Sequence, residues 1–312
     1  MAKKIADTKK MTREQWLELR KSSIGGSDAA ATVSMNPYSS LITLYADKKG
    51  MSKEKETTEA MRLGTDLEGY VAERFCEKTG KKVRNDFFMY ADDEYDFLTA
   101  NVDRRIVGEN AGLECKTMSG FNGYNLEAGE IPSHYYCQVM HYMMVMGFDR
   151  MYMAILVFQK GVYDFTIERD DDFIQSLRAA EIDFWQNNVL QNKIPAPDGS
   201  EASLDTLKEL YPVAEKGTEI SIFGLDQYIV DYRSFKALEK EYKEKADELK
   251  ARIAAKLGDN EVGIGDSYSC SYKNQSKPNI NPAKLKASYP KIYEELVEMS
   301  NYRVLRTKQL KK

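Results

Sequence analysis

The sequence predicts an α/β fold, a mixed central sheet flanked by helices, followed by a C-terminal extension of helix and β structure. Three observations carry that expectation. Residues 57–78 and 132–146 repeat apolar side chains at helical spacing. Around them, Phe97 to Asp103, Leu113 to Thr117, Met151 to Phe158 and Val162 to Ile167 read as strands bounded by turn residues. Beyond a linker at Pro195 to Ser200 the composition shifts to a long helix dense in Glu and Lys. The expected organisation is a core over residues 1–198 and an extension over residues 199–312. At 312 residues and 42% hydrophobic content, the chain has material for one sizeable core plus that extension.

In chain order, Thr12 to Lys21 reads as a helix anchored by Trp16, Leu17 and Leu19. Ser22 to Asp28 interrupts it. A short helix over Ala29 to Val33 follows, with Ser27 or Asp28 as its cap. Asn36-Pro37-Tyr38-Ser39 turns into a helix from Leu41 to Lys48. The helix over Thr57 to Lys78 places Leu67, Tyr70, Val71 and Phe75 on one stripe and is stopped by Gly80. Glu68 sits at the border of that stripe, either as a snorkelling surface group or as an inward-facing ligand. Two or three strands are expected from Lys82 through Thr117. Pro132 opens a helix that Gly147 closes after Met146. Its Met140, Met143, Met144 and Met146 read as core packing. Two strands joined by Gln159-Lys160-Gly161, then an amphipathic helix from Asp170 to Asn192, complete the core. In the extension, Tyr228 to Leu257 is a long charged helix whose Phe235, Leu238, Tyr242, Leu249 and Ile253 approximate a heptad over part of its length. A hairpin over Glu261 to Tyr272, a helix over Pro282 to Met299 and a last strand over Tyr302 to Thr307 are expected after it.

Composition excludes several classes. No apolar run approaches the ~20 residues of a membrane span, and the polar start at Met1-Ala2-Lys3-Lys4 lacks the apolar centre of a signal peptide. The expectation is a soluble, cytoplasmic protein. Cys76, Cys115, Cys137 and Cys270 are far apart with no Cys-x-x-Cys spacing, which argues against a zinc or iron–sulfur site and for reduced thiols. A net charge of −4 gives no general basic coat, so any contact with DNA must come from local patches or a lined channel. The tail residues Arg303, Arg306, Lys308, Lys311 and Lys312 form one such patch, though a frayed, solvated terminus explains them as well.

The candidate chemistry lies in one hairpin and the helix after it. Phe97 to Asp103 reads as a strand, Gly108 to Gly112 as a turn and Leu113 to Thr117 as the returning strand. If Val107 and Asn110 flank the tightest turn, Asp103 falls opposite Glu114; a longer loop slides it toward Lys116. Glu114 and Lys116, two residues apart, share a face. Carboxylates offer hard oxygen ligands to divalent cations. A lysine beside them offsets charge building on a phosphorus under attack. This is the donor set that phosphodiester cleavage needs. Glu-x-Lys also occurs at Glu241 and Glu248, within the stretch that reads as a solvated helix, so context selects the first. On the hairpin alone, a charged solvent face explains these residues equally well.

With helices before and after, the order of these elements resembles the PD-(D/E)xK nuclease core, the restriction-endonuclease-like fold. More of the chain narrows the resemblance. Arg20-Lys21-Ser22-Ser23-Ile24-Gly25-Gly26-Ser27-Asp28-Ala29-Ala30 is similar to the opening motif of the YqaJ-type viral recombinase family, relatives of phage lambda exonuclease. Leu63-Gly64-Thr65-Asp66-Leu67-Glu68, Ala100-Asn101-Val102-Asp103, Leu113-Glu114-Cys115-Lys116-Thr117 and Ile131-Pro132 through Gln138-Val139-Met140 match that family's later motifs in order. The resemblance covers about residues 10–195, and Val102 stands where the motif's name has proline.

The resemblance implies a metal-dependent double-strand DNA exonuclease. Such an enzyme resects one strand 5′ to 3′ and leaves a 3′ overhang for a single-strand annealing protein of the RecT/Beta type, in a phage or prophage recombination system. It implies Mg²⁺, with Mn²⁺ as a substitute and two ions per site. Asp103 and Glu114 would be the ligands, with the Cys115 backbone carbonyl and Glu68 as further ones. Lys116 would orient or activate water, and Gln138 would hold that water or the lysine. Arg20 and Ser27 would form a pocket for the terminal 5′-phosphate, although Gly25-Gly26-Ser27-Asp28 alone reads as an ordinary turn and helix cap. A closed trimer around the DNA is also implied. His134 and His141, on the Gln138 helix, are expected to be structural, since hard-metal phosphoryl chemistry does not need imidazole. A structure-specific endonuclease of the same fold and a catalytically silent DNA-binding protein are the alternatives.

Overall fold

The computed structural model describes residues 2–53, 57–120, 123–298 and 302–310. The chain divides into two compact units, Met1–Tyr211 and Pro212–Lys312. In the first, strand β1 (Lys3–Asp7) precedes helices α1 (Arg13–Lys21), α2 (Gly26–Thr32), α3 (Leu41–Lys48) and α4 (Glu59–Thr79). Strands β2 (Val83–Asn85), β3 (Phe88–Ala91), β4 (Thr99–Ala100), β5 (Arg104–Ile106) and β6 (Ala111–Met118) follow. Helix α5 (Ser133–Met146) leads to β7 (Arg150–Val157), β8 (Gly161–Glu168), α6 (Asp171–Asp183) and α7 (Glu201–Leu210).

The central sheet has the order β2-β5-β6-β7-β8. Only β6 and β7 run parallel; the other neighbours are antiparallel. A parallel pair needs a crossover connection, and α5 supplies it. This brings α5 across the sheet directly after β6. A second sheet, β1-β3-β4, is antiparallel.

Alternation along the strands sorts the core into two layers. Ala111 and Leu113 of β6, with Tyr152 and Ala154 of β7, pack under Val71, Ala72 and Phe75 of α4. Met151, Met153 and Ile155 of β7 face the other way, into a layer shared with Ile24, Leu98, Cys137, Met140 and Met143. Gly112, Glu114 and Lys116 have the opposite parity to Leu113 and belong to this second, α5-side face. A Cβ at Gly112 would lie 2.7 Å from the Met151 sulfur, which confirms the direction.

Local chemistry explains the helix bounds. Thr12 and Gln15 close a capping box at α1, Ser40 caps α3 and Thr58 caps α4. Gly80 and Gly147 end α4 and α5 in the left-handed conformation that glycine adopts without strain.

Several expectations are corrected. The segment between Lys82 and Thr117 holds five short strands, because the chain leaves one sheet after β4 and enters the other at β5. Helix α2 starts at Gly26, and Asp28 sits at its third position, accepting from the Gly25 N–H at 3.0 Å; neither Ser27 nor Asp28 is the cap residue. Tyr70 is exposed and Ala72 takes its place in the core. The helix expected to run to Asn192 is α-helical only to Asp183 and continues as a π turn over Phe184–Val189. The boundary expected at residue 198 lies at Tyr211, because α7 packs on α3 and Thr206 Oγ1 meets Thr43 Oγ1 at 2.7 Å.

The second unit contains α8 (Asp226–Leu257) and the hairpin of β9 (Val262–Ile264) and β10 (Ser269–Ser271). The single helix expected from Pro282 is two, α9 (Pro282–Ser288) and α10 (Pro290–Leu296), since Pro290 cannot continue a helix. Its expected end, Met299, lies outside the described residues, as do Lys311 and Lys312 of the basic tail. Tyr302 to Thr307 has no regular structure. The four cysteines are unpaired, and among the described residues no helix is long and apolar enough to cross a membrane.

Candidate active site

β5 pairs with β6 through Arg104↔Leu113 and Arg105↔Gly112. Continued by one residue, this register sets Asp103 opposite Glu114, the tight-turn alternative of the two left open by the sequence. Asp103 lies just before β5, and its Oδ2 accepts from the Cys115 N–H at 2.8 Å.

Glu114 is 3% exposed. Its Oε1 meets Lys116 Nζ at 2.6 Å and accepts from Gln138 Nε2 at 2.7 Å. Its Oε2 is buried with no hydrogen-bond partner. Gln138 Nε2 also donates to Tyr142 Oη at 3.0 Å, one helical turn along α5. The glutamine therefore holds the carboxylate rather than the lysine. Lys116 Nζ lies 5.2 Å from the centre of the Tyr135 ring. Cys115 points to the α4 side, leaving its backbone at the strand between the two acids.

Glu68 arrives from α4. Its Oε1 accepts from Arg104 Nη1 at 2.5 Å, and the same nitrogen donates to the Asp103 backbone oxygen at 2.7 Å. Glu68 is thus drawn to the site, with Arg104 between it and the strand.

The electrostatics are those of crowded acids. Burial, then the charges of Glu114 and Glu68, hold the Asp103 carboxyl well above the usual carboxylate range. Burial works against charge on Lys116, but Glu114 and Asp103 outweigh it and raise the ammonium further. Burial and the neighbouring acids push up the Cys115 thiol, so it stays protonated and unreactive. Burial and the Glu114 charge likewise raise the Tyr142 hydroxyl, which can only hydrogen-bond.

Arg20 and Ser27 meet directly: Arg20 Nη2 donates to Ser27 Oγ at 2.6 Å. The guanidinium stands 4.7 Å from the Trp16 ring centre. Helix α2 abuts the acidic cluster, because Gly26 lies so close to α5 that a Cβ would be 2.6 Å from the Tyr142 ring and 3.1 Å from Gln138 Cγ. Hence the two groups of candidate residues share one wall.

The sequence reading overlooked four participants: Arg104, Tyr142, Asp28 as an ion-pair partner, and Lys48. Lys48 had a signal, since it stands three and four residues after Tyr45 and Leu44 on an otherwise apolar stripe. His141 is fully buried between Glu181 Oε1 at 2.8 Å and the Thr99 carbonyl at 2.9 Å, and it serves the fold. His134 packs between Tyr38 and Tyr135, and burial lowers its pKa.

A model of the YqaJ-like viral recombinase domain matches residues 15–149. Over 306 residues, covering 97% of this chain and 96% of the relative, the chain is 36% identical to the protein YqaJ of Bacillus subtilis (strain 168). Among solved structures, the alkaline exonuclease LHK-Exo from Laribacter hongkongensis, in its complex with dAMP, aligns at 18% identity with a TM-score of 0.47 over 58% of this chain and 94% of that one. A phage related exonuclease from Haemophilus somnus 129PT aligns at 12% identity and a TM-score of 0.43 over 55% and 96%. The chain belongs to the YqaJ-like viral recombinase family.

The crowding of acids is measurable without substrate. A carboxyl whose pKa rises on folding binds its proton more tightly in the folded state, so stability falls as pH climbs from the unfolded pKa through the folded one. In EDTA at about pH 8, Asp103→Asn should melt above the unaltered protein by the equivalent of about 0.5–2 kcal/mol, and the gain should vanish toward about pH 3, below the unfolded pKa, where both states carry the proton. Thermal denaturation at the two pH values checks this. A variant that is less stable at both would show Asp103 to be an ordinary structural acid.

Proposed function

We propose that this protein is a divalent-metal-dependent deoxyribonuclease that degrades one strand of duplex DNA 5′ to 3′ from an end and leaves a 3′ overhang. The observation that supports it most is the half-satisfied Glu114 carboxylate beside the raised Asp103 carboxyl, with Lys116 at its shoulder.

The residues fit a hard cation. An orphaned buried oxygen and mutual repulsion among Asp103, Glu114 and Glu68 both call for positive charge. Among the described residues no three such side chains form a ready-made cage. Mg²⁺ does not need one, since it keeps several waters and takes one or two carboxylates plus substrate phosphate. Asp103, Glu114 and the Cys115 carbonyl would hold the metal, with Glu68 as a further ligand after release from Arg104. Once bound, Mg²⁺ supplies charge neutralisation at phosphorus and an acidified water, and Mn²⁺ would substitute.

The chain's own groups do the rest. Lys116 stays charged and offsets negative charge developing on the phosphoryl oxygens. Gln138 fixes the Glu114 rotamer, and Tyr142 fixes Gln138. Arg20 and Ser27, on the same wall, suit a terminal 5′-phosphate: a guanidinium fork and a hydroxyl are good partners for a dianion. An end-binding pocket beside the acids favours an exonuclease over an endonuclease. The product's 3′ strand would pass to a single-strand annealing protein.

End-labelled linear duplex and closed circular DNA, each with Mg²⁺ or EDTA, test the activity. Only the linear form should be cut, and only with metal. Asp103→Ala and Glu114→Ala should abolish cleavage in folded protein. Lys116→Ala should slow the single-turnover step by about 10²–10³-fold, with DNA affinity changed far less. Cutting of the circle would replace this proposal with an endonuclease, and full activity in either acid variant would remove the site.

Long resection requires that DNA not escape, and at a net charge of −4 one subunit has little electrostatic hold on it. A closed trimer enclosing the duplex meets that need. Light scattering should give three times the 35.7 kDa chain mass. A monomer that nonetheless digests long tracts without release would contradict the ring.

A further inference from the structure

Lys48 is a buried charged group that the proposed chemistry leaves unexplained. Its side chain is 0% exposed. A lysine is rarely buried unless its charge is paired. Here Nζ meets Asp28 Oδ2 at 2.6 Å and donates to the Arg20 backbone oxygen at 2.8 Å. Asp28 Oδ2 also accepts from the Gly25 N–H at 3.0 Å, so that oxygen is fully engaged from inside the fold. The other oxygen, Oδ1, faces Arg20 Nη2 across 3.6 Å, beyond good hydrogen-bond range. Arg20, 34% exposed, spends its donor on Ser27 instead.

We propose that Lys48 is a positioning residue of the anion pocket: by holding Asp28 from beneath, it keeps the Arg20 guanidinium free for a terminal 5′-phosphate. This rests on the 5′-phosphate reading above and adds what sustains it. Arg20, Lys48 and Asp28 together carry one net positive charge. Without Lys48 the remaining pair is neutral. A buried carboxylate cannot stay uncompensated, and Arg20 is the cation beside it. The guanidinium fork would close on Asp28 in the strong bidentate geometry that it otherwise offers to phosphate. Lys48 also grips the Arg20 backbone oxygen in the last turn of α1, which fixes where that side chain begins. One buried ammonium therefore sets both the charge of the pocket and the origin of its arginine.

The test compares single-turnover digestion of matched duplexes ending in 5′-phosphate or 5′-hydroxyl. The unaltered protein should prefer the phosphate about tenfold or more, and Arg20→Ala should reduce the ratio to within about twofold of one. Lys48→Met should reduce the ratio as far as Arg20→Ala does, although Arg20 is intact. Asp28→Asn with Lys48→Met, which removes both buried charges and so tolerates folding best, should restore most of the preference, because Arg20 then has no carboxylate to close upon. Rescue by the second substitution is not expected of a merely structural lysine. The proposal is overturned if Lys48→Met keeps the full preference, or if the folded double variant lacks it. If the unaltered protein shows no preference, the 5′-phosphate reading fails and this proposal with it. If Arg20→Ala keeps the preference while Lys48→Met loses it, the reading survives and the proposed route through Arg20 does not.

Discussion

Glu114 places a carboxyl group inside the sheet, only 3% exposed, and the first unit is arranged around partnering it. A carboxylate in the middle of a sheet is tolerated only with charge and hydrogen-bond partners. The strand supplies one partner itself, since Lys116 lies two residues on and shares the face. The crossover helix supplies the other, because a parallel β6–β7 pair forces α5 back over that same face and brings Gln138 to 2.7 Å. Tyr142 and Gly26 follow from this: the tyrosine locks the glutamine, and the absence of a side chain at residue 26 lets α2 approach the tyrosine. Topology and electrostatics therefore converge on one oxygen atom that is satisfied and a second that is not.

The unsatisfied half is informative. Crowded acids destabilise a fold, and natural folds keep such strain where function uses it. Asp103, Glu114 and Glu68 repel one another, while Arg104 and Lys116 offset part of that repulsion from the flanks. A cation would relieve the remainder. The cluster of Arg20, Asp28 and Lys48 shows the opposite sign of the same principle, with two cations around one acid and Arg20 partly open to solvent.

Much of this was legible in the sequence because it depended on local rules. Turn residues at Gly108 to Gly112 set the hairpin, period-two alternation put Glu114 and Lys116 on one face, and Pro132 and Gly147 bracketed α5. The pairing of Asp103 with Glu114 was one of two registers, and the tight turn realises it. What stayed hidden depended on long-range packing. The Lys82–Thr117 segment is split between two sheets, and Ile24 bridges its Leu98 across seventy-four residues of sequence. The Lys48–Asp28 pair joins two helices that only the tertiary fold brings together. The break at Pro290 is local and readable, since proline cannot continue a helix.

The central claim is that Asp103 and Glu114 share one cation. A crystal of the full chain grown with Mn²⁺ tests it most directly, by anomalous scattering at the metal edge. The account predicts a peak between the two carboxylates and the Cys115 carbonyl, and its loss in Glu114→Gln under the same conditions. Saturating Mn²⁺ with no ordered ion between those groups, or an ion bound elsewhere and indifferent to Glu114, would contradict it.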